Sequence, residues 1–214
     1  MARARTTGAF PALAGQSERY LLESLQAYAR GDRHSGVMEP VAAGLGPQEM
    51  RALAGYYAGL SAGGLGRTQV VPADPIAAEA APTRARRSRY SKSGDVAASA
   101  ARGEQLARRG DAAARIPSCV ECHGPGEGAR NPLYPRLAGQ HPDYLALQLQ
   151  LFKQGRRGGT GYSHIMRTVA KSLEPQDIRD LAAWYGSLPA GAATNTAART
   201  GTEASAAVQG SPPR

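Results

Sequence analysis

Apolar side chains recur along two stretches of this 214-residue chain at the spacing of a single helix face. Leu145, Leu149 and Phe152 stand at i, i+4 and i+7, and Ile178, Leu181, Ala182 and Tyr185 at i, i+3, i+4 and i+7. Pro142 near the start of the first stripe, where a missing N–H costs nothing, and Gly155 beyond its end bound one predicted helix. Pro175 and Pro189 bound the other. Near the N-terminus Pro47, Met50, Leu53, Ala54 and Tyr57 repeat the second pattern. Ala-rich residues Val96 to Arg109 predict a further helix ending at Gly110. The chain reads as all-α.

These helices belong to an internal repeat. Phe10-Pro11-Ala12-Leu13-Ala14-Gly15-Gln16 returns as Tyr134-Pro135-Arg136-Leu137-Ala138-Gly139-Gln140, 124 positions later. Tyr20, Leu21, Leu25 and Gly31 keep that shift onto Tyr144, Leu145, Leu149 and Gly155. After four additional residues in the second copy, Met38 falls on Met166, and Leu45, Pro47, Leu53 and Tyr57 on Leu173, Pro175, Leu181 and Tyr185. So many matches through one small gap mark a duplication. The copies differ upstream: roughly forty residues precede the second segment within its own unit, against nine before the first. The expected organisation is an incomplete copy over 1–60, a linker over 61–93, a complete unit over 94–189 and a disordered tail over 190–214.

The upstream segment of the second copy holds the chain's two cysteines, in Cys119-Val120-Glu121-Cys122-His123. Cys-x-x-Cys-His is the attachment signature of c-type haem: each thiol adds across one vinyl group, and the adjacent His is held under the ring as an iron ligand. Zinc binding usually needs four ligands, and with one Cys pair and four His in the chain there is no second knuckle. A thioredoxin-like site needs a strand before the motif, whereas Ile116-Pro117-Ser118 and Gly124-Pro125-Gly126 flank it here. Haem attachment leads, with zinc or thiol redox chemistry as the alternatives.

IPSCVECHGPGEG, then NPLYPRLAGQHPDYLALQLQLFKQGRR, a methionine and LEPQDIRDLAAWYGSLP, resembles a class I cytochrome c domain. The likeness spans about residues 95–189, with 9–60 as a truncated domain, so the whole chain is similar to the tandem two-haem cytochromes c of bacteria. That resemblance implies small all-α domains with an exposed haem edge, and periplasmic electron carriage. It also implies that Met166 is the sixth ligand and that the Pro135 carbonyl orients His123.

The repeat bears on the sixth ligand independently. Met38 aligns with Met166 in a Gly-rich loop before the last helix, whereas His164 aligns with Gly36 and is expected on a surface loop. A thioether ligand raises the reduction potential relative to a second His. Met38 is then an orphan candidate ligand, since residues 1–60 hold no cysteine. One haem c is expected in this chain, and two if the N-terminus is incomplete; the alternative is a degenerate, haem-free copy. An incomplete N-terminus would also explain a start, MARARTTGAFPALAGQ, that is basic but lacks the apolar segment of a secretory signal.

Other candidates have plainer readings. Gln16 and Gln140 are expected to tie down a loop at a helix start, His141 to sit near a helix cap, and Tyr57, Trp184 and Tyr185 to pack between helices. Arg84 to Lys92 reads as a solvated linker with one interleaved aromatic, Tyr90, so no nucleic-acid partner is expected. The net charge of +9 favours acidic redox partner proteins, a membrane-bound oxidase or dehydrogenase among them. The functional expectation is an electron carrier without a catalytic site of its own. A haem-bearing acceptor subunit of a dehydrogenase or oxidase complex is the alternative.

Overall fold

A computed structural model describes residues 10–62, 93–125 and 131–190, with the side chains of 93–96 excepted. Most of the expected linker and the tail beyond Ala190 lie outside the described residues. Among the described residues the secondary structure is α-helical, apart from two isolated β-bridges. The helices are α1 (Glu18–Ala29), α2 (Met38–Ala43), α3 (Pro47–Gly59), α4 (Ser93–Arg109), α5 (Val120–His123), α6 (Pro142–Lys153), α7 (Ser163–Ser172) and α8 (Pro175–Ser187).

The repeat is visible in how the helices begin and end. Pro47 opens α3 and Pro175 opens α8. The carboxylates of Glu49 and Asp177 each accept from the backbone N–H three residues earlier, on Gly46 at 2.7 Å and Glu174 at 2.8 Å. α1 and α6 stop before Gly31 and Gly155, whose φ values of 74° and 72° suit glycine. α4 starts at Ser93, three residues before the sequence pattern predicts, and ends before Gly110 as expected.

The helix pairs that pack most closely lie within one half: α1 on α2 and α3, α6 on α7 and α8, and α4 along α8. α4 approaches α8 so closely that a Cβ at Gly103 would overlap the Asp180 carbonyl. Beside that crossing Asp180, 4% exposed, is bonded by Arg102 at 2.8 and 3.1 Å, by Gln176 at 2.7 Å and by the Ser99 hydroxyl. The second half's core gathers Leu145, Leu173, Ile178, Leu181, Trp184 and Tyr185, the last two in an edge contact with centroids 4.5 Å apart. The first half's core is smaller, with Tyr20, Leu21 and Ala54 buried and Tyr57 packed against them.

Candidate functional site

Cys119, Cys122 and His123 form a single helical turn. Cys119 caps α5, and its carbonyl accepts from the N–H of His123 at 2.9 Å and of Cys122 at 3.3 Å. The turn is fixed to the end of α4, because the Cys119 N–H donates to the Ala107 carbonyl at 2.8 Å. Gly124, at φ 67°, ends it. The thiols are half-buried and unlinked, and His123 is buried. Burial, with the neighbouring Cys122 adding to it, pushes the Cys119 thiol up to about 11. A redox-active thiol is one of lowered pKa, the opposite direction. Among the described residues no group of three His, Cys, Asp or Glu is placed to hold a metal ion.

His123 Nδ1 lies 2.9 Å from the Pro135 carbonyl oxygen. A carbonyl only accepts, so Nδ1 carries a proton, and in the neutral ring the lone pair then lies on Nε2. The ring of Tyr134 lies beside the imidazole, with centroids 5.9 Å apart.

Met166 corrects one expectation. It stands in α7 rather than in a loop, and Met38 likewise opens α2. The signal for both helices is in the chain: Met166, Val169, Ala170 and Leu173, like Met38, Val41, Ala42 and Leu45, run i, i+3, i+4, i+7. The glycines before them masked it. His164 is exposed, as expected of a surface residue, but lies in α7. His141 caps α6.

Cys119, Cys122, His123 and Met166 line one cavity of about 1030 Å³, and Met38 lines its extension into the first half. That volume is at the upper end of ordinary ligand pockets. Leu21, Leu25, Leu53, Leu145, Leu149 and Phe152 contribute much of its apolar wall.

The polar lining comes from a junction between the halves that the sequence reading did not foresee. Gln16 donates to the Arg136 carbonyl at 2.7 Å and accepts from its N–H at 2.9 Å. Gln140 does the same to Ala12, at 3.0 and 2.8 Å. Each glutamine does tie down a loop, but it is the other half's loop. Behind them Arg33 and Arg157 face each other across an antiparallel bridge. Arg33 donates to Tyr144 Oη at 2.8 Å and Gln148 Oε1 at 3.1 Å, and Arg157 to Tyr20 Oη at 3.0 Å. Each guanidinium also covers an aromatic ring of its own half, Tyr28 at 4.6 Å and Phe152 at 4.4 Å. Arg33 is 2% and Arg157 8% exposed, and among the described residues neither has a carboxylate within ion-pair distance. Burial would raise the Tyr20 phenol, but the two guanidiniums outweigh it and lower the pKa to about 8. The repeat spacing of Arg33 and Arg157, again 124, is the signal that would have found them.

A family model for cytochrome c matches residues 100–189. The chain is 33% identical over 189 residues to cytochrome c4 of Azotobacter vinelandii, covering 84% of this chain and 77% of that one. It is 32% identical over 180 residues to a thiosulfate dehydrogenase electron acceptor of Thiomonas intermedia, covering 84% and 71%. Its fold matches the crystal structure of reduced recombinant cytochrome c4 from Pseudomonas stutzeri with a TM-score of 0.63 and 32% identity, over 85% of this chain and 86% of that one. A one-turn Cys-x-x-Cys-His helix on the wall of an apolar cavity, set in a duplicated all-α fold, agrees with those likenesses: the chain belongs to the cytochrome c4 family of class I cytochromes c, and it carries covalent haem c and transfers electrons.

Proposed function

We propose that Cys119 and Cys122 attach the haem, that His123 and Met166 are its two iron ligands, and that Pro135 orients His123. The observation that carries this reading is the 2.9 Å pairing of His123 Nδ1 with the Pro135 carbonyl, on a cavity that Met166 also lines. The residues fit the group. The walls are largely apolar, two half-buried thiols stand on one of them, and Arg33 Nε is buried without a hydrogen-bond partner. Two buried cations without a protein carboxylate beside them suit a cofactor that brings its own carboxylates. Bound there, haem supplies a one-electron couple between ferric and ferrous iron. The chain's residues do the rest: His123 is fixed in tautomer and direction, the apolar wall excludes water, and a thioether ligand raises the potential.

The first half, residues 1–60, is read as an incomplete domain of the same kind, with Met38 in the position of Met166. No cysteine occurs within 1–60. The protein is read as periplasmic, docking through its positive charge with acidic redox partners. The likeness to the thiosulfate dehydrogenase electron acceptor of Thiomonas intermedia favours a second reading in which this chain accepts electrons from a dehydrogenase.

The test is spectroscopic. Protein made in a host with haem-attachment machinery should show a reducible Soret and α band that survives acid–acetone extraction. Cys119→Ala with Cys122→Ala should abolish it, and Met166→Ala should keep the haem while losing six-coordination and lowering the potential. Colourless wild-type protein with two free thiols would sink the reading.

A further inference from the structure

Within the part that aligns, the two copies differ in length just before their methionines. Seven positions separate Gly31 from Met38, and eleven separate Gly155 from Met166. The four additional residues are Gly158, Gly159, Thr160 and Gly161, and they sit on the first half. Arg30 Nη2 donates to the Gly159 carbonyl at 2.7 Å, and the Gly161 N–H donates to Glu23 Oε2 at 2.9 Å. Asp32 holds the Arg30 guanidinium at 2.9 Å and packs against Gly159. Gly159 has φ 76°, and a Cβ there would overlap Asp32 and come within 2.9 Å of Ala27 Cβ. Backbone is thus seated directly on α1, a contact only glycine permits.

The same insertion starts α7. The Thr160 carbonyl accepts from the Ser163 N–H at 3.1 Å and from its hydroxyl at 2.8 Å, and Met166 follows within the first turn. Met38 itself is capped by bonds of its own half, the Met38 N–H donating to Ser35 Oγ at 3.2 Å and the Ser35 N–H to Glu39 Oε1 at 2.6 Å, and its lead-in meets the second half one residue earlier, where the His34 N–H donates to the Arg156 carbonyl at 3.0 Å.

We propose that Glu23 and Arg30 of the first half are positioning residues for Met166 of the second. They grip the insertion at two backbone groups two residues apart and so hold the first turn of α7, which presents the thioether. The inference rests on Met166 being an iron ligand. Its consequence is that the second half's ligand exchange is governed from the first half.

The experiment uses ferric holoprotein and imidazole as the incoming ligand. Two readouts are followed: the weak long-wavelength band from thioether to ferric iron, and the rate at which imidazole displaces Met166. Glu23→Ala with Arg30→Ala should speed displacement roughly tenfold and weaken the band, the effect of about two exposed charge-assisted hydrogen bonds. Glu23→Gln keeps an acceptor for the Gly161 N–H and should behave as wild type. Gly159→Ala should reproduce the fast phenotype from the other side of the contact. Wild-type displacement rates in both the double variant and Gly159→Ala, with Met166→Ala binding imidazole at once, would overturn the clamp and leave Met166 as ligand. A wild-type protein without the band, matched in imidazole binding by Met166→Ala, would overturn the ligand assignment and the clamp with it.

Discussion

Gln16 and Gln140, 124 residues apart, each bond both backbone groups of one residue in the loop that carries the other. Both are buried, and each uses an acceptor and a donor of the same amide. No other side chain of that length offers the two together, so the junction depends on the amide rather than on shape or polarity alone.

Gln16→Ala should therefore cost about 2 kcal/mol, two buried hydrogen bonds at about 1 kcal/mol each. Gln16→Glu should be no better, because a carboxylate set against the Arg136 carbonyl oxygen replaces a donor with a repelling acceptor. Chemical denaturation of the holoprotein checks both. A Glu variant as stable as wild type would mean the donor half of the amide contributes nothing.

Arg157 and Arg33 put two fixed positive charges beside the haem cavity, away from water. Positive charge in a poorly screened site favours the less positive state of the iron, the ferrous one. Arg157→Leu should lower the reduction potential measured by potentiometric titration. Arg19→Leu, on the exposed face of α1, should change it far less because solvent screens it.

The four-membered cluster at Asp180 gives a pH prediction. Burial alone would raise the Asp180 carboxyl, but hydrogen bonds from Arg102, Ser99 and Gln176 outweigh it and lower its pKa below the usual carboxylate value. The folded state then binds this proton more weakly than the unfolded one. The stability it contributes is fully present above the ordinary carboxylate pKa of about 4 and is lost as pH falls through the lower folded value. Asp180→Asn should lower the melting temperature at neutral pH and flatten its fall in acid. Parallel curves for variant and wild type would show that Asp180 is not linked to folding.

Gly103 tests the α4–α8 crossing on which the Cys-x-x-Cys-His turn depends. A methyl group there would strike the Asp180 backbone, which has no flexible end to move aside. Gly103→Ala should be destabilising by more than 1 kcal/mol, even though alanine is worth about that much in helix propensity. Thermal unfolding followed at the Soret band reads the outcome.

Much of this architecture was legible from the chain. The repeat, the helix-bounding prolines and glycines and the attachment motif each have a local or periodic signature, whereas the pairing of His123 with Pro135 was expected from the family resemblance alone. The short helices α2 and α7 escaped because glycines stand next to a complete helical stripe, and punctuation outweighed period. The junction between the halves escaped for a deeper reason. Tyr20, Tyr144, Arg33 and Arg157 acquire these hydrogen-bond partners only when two distant segments meet, and their own neighbours in sequence announce nothing of it.

Reciprocal contact, in which a residue of one unit touches the counterpart's partner and the reverse, is the geometry of an isologous homodimer. The junction has it at three levels: glutamine to loop backbone, arginine to tyrosine, and arginine to arginine. In a homodimer one substitution changes both ends of such an interface at once. Joined in a single chain, the two ends vary separately, and they have: Ser24 corresponds to Gln148 and Tyr28 to Phe152, and only Arg33 gains the glutamine as a further acceptor. Within one covalent chain the two ends of such a pseudo-symmetric surface can specialise, each half taking its own electrostatic setting while the pair stays docked.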